Sequence, residues 1–218
     1  MIQRMLEIIG QNFPLEELPC GEYGKMKVSG MQFTVRRFYA RGLGNVSAMV
    51  ASGFFGLMKM DTLIITPTEK DMPLFSYDRV HAMGNDTLIF ELYDTLLGET
   101  NLSALEQVKQ EAAYLPDHDL GSHWYDPIKL PVSLSKKGKK AQTPGFDATV
   151  VHYLAKFLEA ARAAGACEAA PKREKAAVYV EGLLQNGGPS TDVFRKGIGP
   201  QKTAELFREI LFATNSHQ

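Results

Sequence analysis

Apolar residues recur along the chain with two different periods, and the change between them divides it. Ile2, Met5, Leu6 and Ile9 fall on one stripe of a short N-terminal helix over 2–12, whose extension Pro14 limits. From Gly24 to Leu97 the pattern becomes strand-like. The segments 25–29, 31–41, 46–55, 60–67, 74–82 and 87–93 each read as a β-strand, with glycine or asparagine between several of them. Their connections are mostly short, which favours antiparallel neighbours over parallel crossovers. Glycines at 42, 44, 53 and 56 blur the boundaries and leave 49–60 open to a partly helical reading.

Beyond Leu97 the helical period takes over. A helix is predicted over 101–114, where Ser103-x-x-Glu106 has the form of a capping box. An irregular stretch follows, with one strand near 128–134. Asp147 is placed to cap a helix over 148–164 whose stripe is Val151, Leu154, Leu158 and Ala161, and Gly165 marks its stop. Pro171 suits the first turn of a helix over 172–185, which Gly187-Gly188-Pro189 ends, and a last helix covers 201–214. The runs Thr62–Ile65 and Thr87–Phe90 are continuously apolar apart from threonine, so these strands are expected to be covered on both faces. The expected fold is α+β: a three-layer α/β/α sandwich with a central, mainly antiparallel sheet flanked by helices. It forms a single domain over 1–218, with the sheet at about 24–97 and a helical half at about 100–214.

Composition narrows the function classes. The chain has 218 residues, 44% apolar and 22% charged, enough to bury a core without staples. A net charge of −1 argues against a nucleic-acid partner. Cys20 and Cys167 are far apart and have no zinc spacing, so a reduced, cytoplasmic setting is expected. The first residues carry glutamate and arginine within their apolar run, unlike a signal peptide. No run approaches a membrane span, and no membrane partner is expected.

The candidate chemistry lies in PLFSYDRVHAMGNDTLIFELYD, where Asp78, Arg79, His81 and Glu91 sit inside two strands. With Gly84-Asn85 as a two-residue turn, Asp78 faces Glu91, Val80 faces Ile89 and Ser76 faces Tyr93. Arg79, His81 and Tyr77 take the other side, opposite Phe90, Leu88 and Leu92. Two carboxyls together on a covered face repel, and apolar surroundings also disfavour charge. One of them should then keep its proton at neutral pH, as a general acid requires. The alternative is a partly solvated face on which Glu91 merely pairs with a lysine.

These same residues carry a resemblance. TLIITPTEKDMPLFSYDRVHAMGNDTLIFELYD resembles the central hairpin of the ferredoxin-dependent bilin reductases and of red chlorophyll catabolite reductase. Pro67, Met72-Pro73-Leu74-Phe75, Asp78 and Asp94 stand in the family's order. HWYDPIKLPVSLSKK is similar to the family's turn into an apolar strand. VFRKGIGPQKTAELFREILF is similar to its closing helix pair, with Gly199 and Leu211-Phe212 in register. The blocks are collinear over roughly Met60 to Phe212.

The resemblance implies a pocket between the sheet and the C-terminal helices. It implies a linear tetrapyrrole as substrate, one-electron transfers from ferredoxin or flavodoxin, no flavin, nicotinamide or metal, and protons from the protein. Asp78 falls on the family's catalytic aspartate, with Glu91 as its candidate partner. Lys136 falls where a basic residue holds a substrate propionate, and Thr62, Ser76 and Tyr93 join it as candidate binding residues. Two departures stand out. MDTLIITP has Thr62 nearest to the place where many members have a histidine, and Gly187 and Gly188 fall where many have an Asn-Asp pair. The chain therefore reads either as a reductase or as a protein that keeps the fold and holds a tetrapyrrole or another flat apolar ligand without reducing it.

Other candidates are weaker. His81 points away from Asp78 by parity and reads as a structural histidine. GSHWYDP is either a ligand-contacting loop or a tryptophan plug. Asp117-His118-Asp119 is a poor metal site, since adjacent residues rarely converge on one ion. Lys136, Lys137, Lys139 and Lys140 read as a solvated loop, or as a dock for an acidic electron carrier.

Overall fold

The computed structural model describes residues 1–215. Its centre is an antiparallel sheet of eight strands: β1 (Leu15–Leu18), β2 (Lys25–Val28), β3 (Met31–Ala40), β4 (Gly44–Gly53), β5 (Met58–Pro67), β6 (Leu74–Ala82), β7 (Asn85–Tyr93) and β8 (Leu134–Lys139). β3 to β7 form a meander, β8 adds to β7, and β1 and β2 share the free edge of β3. Short connections make each neighbour antiparallel, as expected from the spacing of the strand-like runs. The stretch 49–60 is strand on both sides of a tight turn.

Alternation sends the two sides of each strand into different cores. Phe75, Tyr77, Phe90 and Leu92 meet α1 (Ile2–Asn12), α2 (Ser103–Glu111) and α3 (Thr143–Ala163). Val35, Met49, Ile64 and Tyr93 meet α4 (Ala169–Asn186), α5 (Pro189–Ile198), α6 (Pro200–Glu205) and the turn after it. The result is the expected three-layer sandwich, and the apolar runs at 62–65 and 87–90 are covered on both faces for this reason.

Several local expectations are corrected. The hairpin turn is Met83-Gly84, so Ala82 pairs with Asn85, Asp78 with Ile89, Ser76 with Glu91 and Tyr77 with Phe90. The register is thus displaced by two residues, which preserves parity: every side chain keeps its predicted face. Met83 and Gly84 have φ of 51° and 75°, the left-handed pair that matches strand twist. This placement also sets Asp86 beside Arg79 in the interior. Methionine is a poor left-handed residue, so Met83→Asn is expected to stabilise the protein by about 0.5–1 kcal/mol in chemical denaturation. An unchanged midpoint would show that the turn is unstrained.

The third strand-to-helix region also differs. The edge strand lies at Leu134–Lys139, not near 128–134; its three lysines hid it, and lysine is what a sheet edge tolerates. α3 begins at Thr143 with Pro144 in its first turn, so Asp147 lies within the helix and faces Arg79 at 3.3 Å instead of capping. α2 starts at Ser103 without a side-chain cap, and Asn101 Oδ1 accepts from the Ser103 N–H instead. Periodicity does not reveal β1 and α5, a four-residue strand and a helix that begins at the expected stop. The last helix gives way at Leu206–Leu211 to a π-helical turn, whose Leu211 carbonyl accepts from Ser47 Oγ (2.7 Å) and Asn45 Nδ2 (3.2 Å) on β4.

Candidate functional site

Between the sheet and the C-terminal helices lies a cavity of about 230 Å³. Its floor is made by every second residue of three adjacent strands: Thr62 from β5, Ser76 and Asp78 from β6, and Glu91 and Tyr93 from β7. Strand alternation is the whole reason these five converge. Tyr179 and Leu183 of α4, with Phe207, Leu211 and Phe212 after α6, form the roof. The walls are therefore mainly apolar, with a small polar cluster at the base, a composition typical of small-molecule sites.

Asp78 is the centre of the cluster. Its Oδ1 accepts from Thr62 Oγ1 at 2.5 Å. Loss of hydration in the cavity pushes its carboxyl up to about 6, against the hydrogen bond from Thr62, and the nearby Glu91 carboxylate pushes the same way. Glu91 stands opposite Ser76, diagonal to Asp78. Its Oε2 accepts from the Tyr93 hydroxyl at 2.6 Å, and Lys129 Nζ lies 3.7 Å from its Oε1. Glu91 thus shares a covered face with Asp78 and also approaches a lysine.

Tyr93 is stacked on Tyr179 with ring centroids 4.0 Å apart, and burial pushes both phenols well above their usual range. They are neutral hydrogen-bonding groups at any ordinary pH. Tyr179 escaped the sequence reading because it lies on an apolar helical stripe with Ala176, Val180 and Leu183, where a tyrosine reads as core.

Lys136 is corrected. It lies opposite Leu88, on the α3 face of the sheet, and is buried there. Its ammonium donates to Leu115 O (3.1 Å) and Asp117 Oδ1 (2.6 Å). A strand residue of that parity cannot reach the cavity, and among the described residues no lysine or arginine lines it. His81 also lies on the far face, 3.3 Å from Asp86.

The GSHWYDP loop packs its tryptophan against α4 and also borders the cavity. The Trp124 indole donates to Gly187 O at 3.1 Å and lies on Gly182, where an added Cβ would come within 2.2 Å of the ring. His123 and Tyr125, on either side, line the cavity mouth. Asp126 braces the loop by accepting from the His123 N–H and from Lys129 Nζ, both at 2.8 Å. Gly188 occupies the rim, so no carboxylate enters the cavity from that position.

The central antiparallel sheet with helices on both faces is an α/β/α sandwich architecture found among solved structures. One solved structure of similar fold is that of tomato phytochromobilin synthase, in a crystal structure in complex with biliverdin. The two share a TM-score of 0.81 at 14% sequence identity, over 98% of this chain and 82% of that one. No protein-family model and no curated protein sequence matches the chain. The fold implied by the resemblance is thus the observed fold.

Proposed function

We propose that this protein binds a linear tetrapyrrole in the cavity and protonates it from Asp78 during reduction by electrons from ferredoxin or flavodoxin. The observation that carries this reading is the Asp78 carboxyl, lifted to about 6 at the base of an apolar cavity. A group so placed is protonated in a useful fraction of molecules near neutrality and can deliver its proton to a bound pigment as electrons arrive. The shared fold with a biliverdin complex supports the ligand class. Glu91, hydrogen-bonded to Tyr93 and close to Lys129, is the group assigned to return a proton to Asp78. Thr62, Ser76 and Tyr93 hold the polar edge of the pigment. Lys129, outside the cavity lining but 3.7 Å from Glu91, takes the role of propionate partner that the resemblance implied for Lys136.

At about 230 Å³ the cavity is below the roughly 300–1,000 Å³ of ordinary small-molecule sites. Seating a tetrapyrrole therefore requires part of the pigment to extend through the mouth or the His123–Tyr125 loop to move. A second reading, a tetrapyrrole-binding protein without reductase activity, is favoured by one feature: Thr62, the hydroxyl bonded to Asp78, cannot titrate and so cannot resupply it. Mixing the purified protein with biliverdin is expected to shift and sharpen the pigment's visible spectrum. No shift would remove both readings. Addition of reduced ferredoxin without oxygen is then expected to bleach and replace the bound pigment band; a bound but unchanged spectrum would leave the binder alone.

A further inference from the structure

The end of the sheet farthest from the loops that anchor α4 carries an unusual set of turns. Phe55 (107% exposed) and Leu57 (73%) sit in the β4–β5 connection, and Met83 (91%) at the tip of β6–β7. The two connections are neighbours, because Met58 pairs with Ala82. Phe55 and Met83 have φ of 55° and 51°, so both tips place a large apolar side chain where glycine or asparagine would fit best. Folding gains nothing from such side chains in water.

Cations surround these tips. Lys59, Lys139 and Lys140 are exposed there, with Lys59 paired across the sheet to His81 and Lys139 to Asn85. Asp86, in the groove lining, is buried and paired with Arg79. A groove of about 650 Å³ runs at the base of the tips, lined by Leu57, Lys59, His81, Met83, Lys140 and Thr143. A soluble acidic partner would account for the lysines and leave the projecting apolar groups unexplained. Side chains that project beyond a cationic ring match a bilayer interface, with the tips in the acyl boundary and lysines at headgroup level.

We propose that this end of the sheet docks peripherally on an anionic phospholipid membrane. Phe55, Leu57 and Met83 insert, and Lys59, Lys139 and Lys140 bind lipid phosphates at the mouth of the groove. No helix among the described residues is long and apolar enough to cross a membrane, and this mode of attachment needs none. The proposal goes beyond the tetrapyrrole reading and does not depend on it.

The test is co-sedimentation of the full chain, without pigment, with phosphatidylcholine vesicles containing about one-third phosphatidylglycerol. The protein is expected to pellet with these vesicles, to stay in solution with pure phosphatidylcholine, and to be released by high salt. The combined Phe55→Ser, Leu57→Ser variant is expected to lose about tenfold in partitioning. Its melting temperature should hold, because both side chains project into solvent. Met83→Asn provides a second variant that favours the turn geometry while removing an anchor. Failure to pellet with anionic vesicles, equal partitioning by the variants, or capture of an acidic soluble protein by the same lysines in place of vesicles would each overturn the proposal.

Discussion

Replacing Asp78 with asparagine is expected to lower pigment reduction by about 10²–10⁴-fold while leaving the spectrum of bound biliverdin in place. Asparagine keeps the shape and can still accept from Thr62 Oγ1, so binding geometry survives while the proton donor is lost. In the parent, the rate is expected to fall as pH rises through about 6, where the free protein's carboxyl releases its proton. The same group makes a prediction about stability. The folded carboxyl titrates near 6 and an unfolded aspartate near 3.9. Between those values the folded chain holds a proton that the unfolded chain has given up, so stability declines as pH rises across the window. Above it the penalty stands in full, up to about 3 kcal/mol. Asp78→Asn carries no such penalty and should be more stable than the parent above pH 6 and equal to it below about pH 4. An unchanged rate would show that another group supplies the proton. Identical stability at pH 7 would show that the carboxyl is hydrated.

The second large effect lies on the opposite face. Arg79 is 1% exposed and donates from Nη2 to Asp86 Oδ2 at 2.6 Å and from Nε to Oδ1, with its guanidinium 5.1 Å from the Phe146 ring. Thr143 Oγ1 donates to the same carboxylate at 2.7 Å. Burial alone would raise the Asp86 carboxyl; the hydrogen bonds from Arg79 and Thr143 outweigh it and hold it below the usual range. The network ties the β6–β7 hairpin to the first turn of α3. Arg79→Met should cost about 3–5 kcal/mol, because it strands a buried carboxylate. Adding Asp86→Leu should recover most of that loss, since an apolar pair needs no counter-charge. Denaturant unfolding of the two single variants and the double variant measures the coupling. A loss under about 1 kcal/mol in Arg79→Met would mean that water replaces the guanidinium. As Asp86 is depressed, the stability contributed by the pair is present above about pH 4 and fades as pH falls through the folded value.

The contrast between the two faces shows what local pattern can and cannot decide. Strand period places Asp78, Glu91, Thr62, Ser76 and Tyr93 on one side and Arg79 and His81 on the other, and a two-residue error in register leaves that division intact. Parity also excludes Lys136 from the cavity once β8 is placed, but its lysine-rich run obscures the strand and therefore its face. The helical layer above the site was legible only in part. Tyr179 looks like core by its stripe, and Leu211 lies in a π-helical turn whose freed carbonyl is satisfied by two side chains of β4 distant in sequence.

By itself, then, the order of apolar and polar residues determined the sandwich, its antiparallel sheet and which side chains share a face, because those follow from the period of each element. Only the tertiary structure decided that Asp78 borders a cavity, that Lys129 and not Lys136 stands near Glu91, and that Arg79 is consumed by Asp86. Each of these is set by the distance and hydration between elements far apart in the chain, and neither quantity is written in the spacing of neighbouring residues.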